Sequence, residues 1–387
     1  MISDFLHNLT DLVLLSVVIW VQWRIASAIL AASKSWLLRL LVAAIAVWLT
    51  TGFLLSFHLI SKLTGLPSPL LGAVSGAAYL WGFSVTGAYL IHRLWRLLFE
   101  KLDAGDFDPG RRKLVNATGS TLAAVPFAMA GFGCLVQRTN FQVREVDMPI
   151  PGLPRDLEGL RVLQLTDIHL GPFLAERDLA RVIDESRNLR PHLAVITGDL
   201  ISMRGDPLDA CLRQIARLRP DAGIFGCMGN HEIYAGTQEY TAAQGARLGM
   251  NFLRQRARQL RFGAATLNLA GVDYQAQRFR SHYLEGAERL IAPGALNVLL
   301  SHSPDVFPVA VKQGFDLTIA GHTHGGQVNI EILHQNLNIA RFFTPFVYGR
   351  YQLNRASIYV SRGIGTIGLP VRIGAPPEIT LLRLTAV

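Results

Sequence analysis

RVLQLTDIH (161–169), HLAVITGD (192–199), AGIFGCMGNHE (222–232), ALNVLLSH (295–302) and LTIAGHTH (317–324) are five short apolar runs, each leading into Asp, Asn or His. Apolar runs of this length, bounded by turn residues, read as buried strands. Strands that repeatedly end in nitrogen or oxygen ligands set those ligands along one edge of a sheet, where α/β folds build their sites. Further strands are expected at 266–272, 327–330, 357–361 and 378–384, and helices at 176–190 and 208–218. A leading strand with a Pro/Gly-rich connection occupies 141–161. The alternation predicts an α/β layered sandwich over 141–387.

Asp167 and His169 stand two apart, as do His322 and His324. In extended backbone, residues i and i+2 point the same way, so each pair can address one small volume. Gly198, Gly229 and Gly321 precede ligand-bearing turns, where a missing Cβ permits tight or left-handed backbone. Asp199 can lend one carboxylate oxygen to each of two cations, Asn230 offers a carbonyl oxygen, and His302 a further imidazole. Mixed N/O ligation without thiolate suits Mn, Fe, Zn or Co rather than a structural zinc site. Cys134, Cys211 and Cys227 form no CxxC pair; Cys134, in a membrane-like stretch, and Cys227, in a core strand, read as buried free thiols, with a Cys211–Cys227 bridge as the alternative in an oxidising compartment.

The first 140 residues differ in kind. Half of the 387-residue chain is apolar and 17% is charged, and the excess of apolar residues lies before residue 139. Spans are expected near 8–30, 37–60, 69–92 and 114–136, each long enough for a hydrocarbon core of about 20 helical residues. The first is weakened by Gln22 and Arg24. An all-α bundle of about four transmembrane helices therefore precedes the α/β domain. His58, Asn116 and Arg24 read as helix-end or intrabundle groups. The net charge of +9 has a basic share beside these spans, which favours an anionic lipid surface over nucleic acid, for which no module is present.

The five blocks DxH (Asp167, His169), GD (Asp199), GNHE (Asn230, His231, Glu232), His302 and GHxH (His322, His324) resemble, in order, those of the calcineurin-like metallophosphoesterase superfamily. The strings SHSPD (301–305) and AGHTHGGQ (320–327) are most similar to its membrane-associated phosphodiesterase branch, related to YkuE and YaeI. The resemblance covers about 158–387. It implies an αββα sandwich holding two divalent ions, Mn first, with Fe, Zn, Co or Mg as alternatives. Asp167, His169 and His324 would hold one, Asn230, His302 and His322 the other, and Asp199 would bridge them. His231 would be no ligand but a general acid or transition-state stabiliser at the phosphate, since an imidazole exchanges protons near neutrality. Two such cations clamp a phosphate and lower the pKa of a shared water. Glu232 reads as a loop-orienting or helix-capping residue, Asp305 as a turn residue, and Arg254, Arg256, Arg258 and Arg261 as a solvated strand edge.

The function expected is a membrane-anchored phosphoesterase. It would act on an anionic phosphodiester or pyrophosphate, lipid-linked or of the cell envelope. The alternatives are a non-catalytic metal-holding sensor or scaffold, and a transporter with an accessory domain. The sequence does not fix an oligomeric state. The 93–113 connection holds Arg93, Arg96, Lys101, Arg111, Arg112 and Lys113, whereas 61–69 holds only Lys62. The positive-inside rule then places the former in the cytoplasm and the domain after Gln137 outside it. Alkaline phosphatase fused after Gln137 is expected to be active, and an inactive fusion reverses this orientation.

Overall fold

The computed structural model describes residues 2–56, 68–100, 109–331 and 338–387. Residues 61–67 of the 61–69 loop, His58 and Lys101 lie outside the described residues. The chain divides into two compact units, Met1–Val136 with Gly368–Pro370, and Gln137–Ile367 with Val371–Val387.

The N-terminal unit holds four helices: α1 (Ile2–Ala32), α2 (Trp36–Ser56), α3 (Ser68–Glu100) and α4 (Pro109–Leu135). Among the described residues, three helices are long and apolar enough to cross a membrane, at Trp36–Phe53, Leu70–Phe99 and Gly110–Thr139. The fourth expected span lies in α1, whose described apolar stretch, Ser16–Ala32, is shorter. Val18, Leu49, Phe53 and Ala78 pack into a small core, while Trp23, Leu37, Val47 and Leu114 are exposed. Helices that are apolar all round in this way suit lipid.

The second unit is built on two six-stranded sheets. One has the order β1-β12-β2-β3-β4-β5, from Gln142–Ile150, Glu378–Ala386, Arg161–Leu165, Leu193–Thr197, Ile224–Cys227 and Met250–Phe252. The other runs β10-β11-β9-β8-β7-β6, from Gly349–Leu353, Ala356–Val360, Leu317–Ala320, Leu296–Leu300, Ala265–Gly271 and Arg256–Phe262. In each sheet the central strands are parallel: β2 to β5 in one, β7, β8, β9 and β11 in the other.

Side-chain alternation along these strands makes the layers. Val162, Leu193 and Val195 face Leu267, Val298 and Ile319 across the inter-sheet core. Their neighbours Leu163, Ala194 and Ile196 face the opposite way, onto α5 (Glu176–Asn188) and α6 (Leu208–Ile215). On the far side of the second sheet, Ala270 and Leu299 pack against Val306, Ala310 and Phe315 around α9 (Phe307–Gln313). This is the αββα sandwich expected from the alternating pattern. Polar side chains also cross between the sheets: buried Gln164 of β2 donates to Thr197 Oγ1 (2.9 Å) and to the Ala320 carbonyl of β9 (2.8 Å), and the Tyr359 hydroxyl of β11 donates to Glu378 Oε1 of β12 (2.5 Å).

One expected strand is absent. Residues 327–330 contribute only isolated bridges, at Val328 and Asn329, because Gln327 takes a positive φ of 52° and turns the chain out of the ladder. Gln327 instead shapes that turn, its amide donating to the Ile367 carbonyl (3.0 Å) and accepting from the Ile367 N–H (2.9 Å). Cys211 and Cys227 are free, buried thiols, one facing the helices and the other the inter-sheet core.

Candidate metal centre

The ligand-type residues lie just beyond the ends of parallel strands from both sheets. Asp167 and His169 follow β2, Asp199 follows β3, and Asn230, His231 and Glu232 open α7 (Asn230–Ala235) after β4. His302 follows β8, and His322 and His324 follow β9.

Backbone geometry brings them together by a route other than extended alternation. Asp167, His169, Asp199, His322 and His324 have φ of 51°, 48°, 56°, 75° and 52°. Positive φ is sparsely populated for residues with a Cβ, and its clustering marks a functional site. Each pair therefore converges through left-handed turns, because the strands have ended before the ligands begin. The glycines also divide in role. Gly198 has the left-handed φ of 88°, whereas Gly229 has φ of −88° and serves close approach: a Cβ there would overlap the Asp199 carboxylate.

Two donor sets result. In the first, His169 Nε2 lies 3.2 Å from His324 Nε2, which is 3.4 Å from Asp167 Oδ1. In the second, His302 Nε2 lies 3.0 Å from Asp199 Oδ2, 3.1 Å from Asn230 Oδ1 and 3.2 Å from His322 Nδ1. Asp199 Oδ2 is also 3.6 Å from His169 Nε2, so the same oxygen borders both sets. Ligand atoms about 2.1 Å from one ion sit roughly 3.0–3.4 Å apart, and these spacings fit that requirement. Within each of the sets Asp167–His169–His324 and Asp199–His302–His322, the ligand atoms lie within 4.8 Å of one another.

The remaining ring nitrogens orient the ligands, as outer hydrogen bonds to metal-binding histidines do. His302 Nδ1 donates to the Thr197 carbonyl (2.7 Å), and His169 Nδ1 meets Ser202 Oγ at 3.2 Å. His231 also lies in a group with His169 and Asp199 whose ligand atoms are within 4.8 Å of one another, but its own hydrogen bonds hold it at the side. Its Nδ1 donates to the Ser202 carbonyl, its backbone N–H to Asp199 Oδ1 (2.9 Å), and its Nε2 stands 4.0 Å from Asp199 Oδ2. The half-buried ring thus fronts the cluster from the side, with its backbone fixed by the carboxylate that both sets share.

Electrostatics follow from burial. Desolvation holds His169 and His322 at about 3 and His324 well below the ordinary range, so these imidazoles stay neutral, the ligating form. Burial lifts Asp167 to about 6. For His302 burial acts downward but is outweighed by Asp199 and Asp167, which raise it to about 10. Asp199, also penalised by burial, is held well below the carboxylate range by His302 and His231. Among the protein's own groups, Asp199 and His302 form an ion pair whose proton occupies the place a cation can take.

Several supporting residues carry no signal as ligands. Buried Glu232 accepts from the N–H groups of Asp199 (2.9 Å), Leu200 (2.8 Å) and Gly229 (2.8 Å), so it orients two loops at once. Its position at the third residue of α7 is a legible capping signature. Arg372 is fully buried, and it donates to the carbonyls of Gly365 (3.0 Å) and Ala375 (3.0 Å) with one amino group 3.4 Å from His324 Nδ1. Nothing in the spacing of its Pro/Gly-rich segment marks it. Tyr274 packs tilted beside His322, ring centroids 5.3 Å apart, and edge-on to His302 at 6.0 Å. Arg254 leaves the expected solvated cluster, pairing with Asp273 (2.8 Å) and Glu239 (2.6 Å), while Arg256, Arg258 and Arg261 are exposed along β6.

Comparison with known proteins agrees with this geometry. The profile of the Calcineurin-like phosphoesterase family matches residues 160–326. An uncharacterized metallophosphoesterase of Campylobacter jejuni is 32% identical over 63% of this chain and 63% of its own length. A transmembrane protein with metallophosphoesterase domain from Danio rerio is 29% identical over 79% of this chain and 73% of its own length. An uncharacterized metallophosphoesterase of Aquifex aeolicus is 30% identical over 60% of this chain and 87% of its own length. The chain thus spans just under two thirds of the Campylobacter relative. Matched in its strand-end blocks and across most of the Aquifex protein, the chain belongs to the calcineurin-like phosphoesterase family.

Proposed function

We propose that this chain is a membrane-anchored phosphoesterase that uses two divalent cations to hydrolyse an anionic phosphodiester or pyrophosphate outside the cytoplasm. The observation that carries the reading is Asp199 Oδ2, which borders a His/Asp donor set on each side, 3.0 Å from His302 Nε2 and 3.6 Å from His169 Nε2. Asp167, His169 and His324 would hold one cation, Asn230, His302 and His322 the other, with Asp199 shared. The cations would supply Lewis-acid polarisation of the phosphoryl group and activation of the attacking water. Manganese leads among the metals suited to this N/O donor set, with Fe, Zn, Co and Mg as alternatives. Helices apolar enough to span a bilayer support a phospholipid or other envelope ester as substrate.

The chain's own contribution is placement and a proton. With Nδ1 bonded to the Ser202 carbonyl, His231 presents Nε2 to the centre, where it can donate to the oxygen leaving phosphorus. Buried Glu232 keeps the Asp199 and Gly229 loops in register, and Tyr274 walls the side of His322 and His302.

The purified full chain, loaded with Mn²⁺, Zn²⁺ or Mg²⁺, is expected to cleave bis-p-nitrophenyl phosphate in preference to p-nitrophenyl phosphate. Asp199→Asn should abolish both turnover and cation uptake. Cation-loaded, folded protein without any turnover would favour the sensor reading. His231→Gln should retain both cations while kcat falls roughly 10²- to 10⁴-fold, the range for a lost general acid. Loss of a bound cation in that variant, read by elemental analysis, would make His231 a ligand instead.

Proton competition gives a third test. His302 carries its proton up to about pH 10, so cation binding at neutral pH must expel it, and affinity should rise as pH rises, roughly tenfold per unit. Below about pH 6 Asp167 adds a second competing proton and the fall steepens. Calorimetric titrations in buffers of different ionisation heat should show proton release near pH 7. A pH-independent affinity would contradict the assignment of His302.

A further inference from the structure

We propose that the turns at 277–280 and 339–343 form a docking surface for the anionic lipid leaflet, beside the metal centre. Phe279, Ile339, Phe342 and Phe343 are 53%, 65%, 80% and 55% exposed, a concentration of large apolar side chains on an otherwise well-packed domain. Such a patch marks an interaction site and not ordinary surface. The two turns are held as one surface. Gln277 Nε2 donates to the Phe343 carbonyl (3.1 Å) and to Asp305 Oδ2 (2.9 Å), and Thr344 Oγ1 donates to Asp305 Oδ1 (2.6 Å). Asp305 is therefore the tie between the turns and more than a turn residue.

Two observations select lipid as the occupant. The first is charge: Arg278, Arg280 and Arg341 are exposed among the aromatic side chains, and the Arg278 guanidinium lies 5.0 Å from the Phe279 ring centroid. Arginine interleaved with aromatic and aliphatic side chains is the composition that seats in an anionic headgroup layer. The second is position along the chain. Gln137, the first residue of the second unit, accepts through Oε1 from the Gly374 N–H (3.2 Å). Gly374 bridges Val328, and the next residue, Asn329, bridges Asn338, which precedes Ile339. Bridged neighbours are about 5 Å apart and bonded ones 3.8 Å, so Ile339 lies within roughly 25 Å of the start of this unit, the end that follows the last apolar helix in the sequence.

The patch also adjoins the site. Asn338 and Asn329 both donate to the Gly325 carbonyl (3.2 and 2.9 Å), directly after His324. A leaflet seated on Phe342 and Phe343 would thus bring headgroup phosphoesters to the turn that carries His322 and His324. That last step rests on the phosphoesterase reading, whereas the docking itself does not.

The test uses the full chain in nanodiscs of phosphatidylcholine with or without phosphatidylglycerol. An environment-sensitive fluorophore is attached at Phe342→Cys, and at Glu185→Cys on exposed α5 as the control. In phosphatidylglycerol discs the label at 342 should shift to the blue and be quenched by lipid-borne nitroxide, while that at 185 stays in water. A label at 342 that is unquenched, or that behaves as the one at 185, overturns the proposal, leaving the patch to a protein partner or a second copy. In a second arm, Phe342→Asp with Phe343→Asp should lower hydrolysis of a vesicle-embedded diester by about tenfold or more, as expected for losing one or two buried aromatic anchors, and leave soluble bis-p-nitrophenyl phosphate unaffected. Equal rates on both substrates would argue against docking. A quenched label on a protein that hydrolyses neither substrate upholds the surface and instead refutes the phosphoesterase reading.

Discussion

Glu232 accepts hydrogen bonds from the N–H groups of Gly229, Asp199 and Leu200, and through that carboxylate two separate strand-end loops become one piece. Burial and the Asp199 charge push its proton affinity up, while the three N–H donors hold it down. Hydrogen bonds to a buried charged acceptor contribute about 1.5–3 kcal/mol each, so the tie is strong where it is most needed. It fixes the backbone of Asp199, whose Oδ1 then holds the His231 N–H and whose Oδ2 faces both donor sets. Without it, that oxygen would have no defined place.

Around that tie the protein stores conformational strain and desolvation together. Five ligand-type residues sit at positive φ, each an arrangement that a relaxed chain avoids. Burial keeps the His169 and His322 imidazoles neutral, while His302, facing two carboxylates, retains its proton. Both tensions have the same relief, a cation shared among neutral nitrogens and carboxylate oxygens. A site built in this way favours ion binding before any substrate arrives.

Much of this was legible in the chain. The strings LQLTDIH, VITGD, MGNHE, LLSH and AGHTH announce a strand and then a residue of ligand type, and those residues come together in one cluster. What the sequence implied for the wrong reason is the convergence of the pairs, since periodicity speaks of strands and the ligands lie past the strand ends. Residues whose role depends on contacts far away in the chain were the least visible. Arg372 looks like any loop arginine until the carbonyls of 365 and 375 close around it. β10, part exposed and lacking a continuous apolar run, is recruited by pairing with β11 and not by its own pattern. The membrane half was readable from length and apolarity, as such segments are.

Gln164 has a mechanical consequence. Its amide is bonded at once to Thr197 in its own sheet and to Ala320 in the other, two residues before His322. Sliding one sheet over the other by a single residue, about 3.4 Å, would break the bond to Ala320 in a place no water reaches. The two halves of the sandwich are consequently locked against shear. A change of substrate preference in this scaffold has to come from remodelled loops at the rim, because the plates that carry the ligands cannot be re-registered.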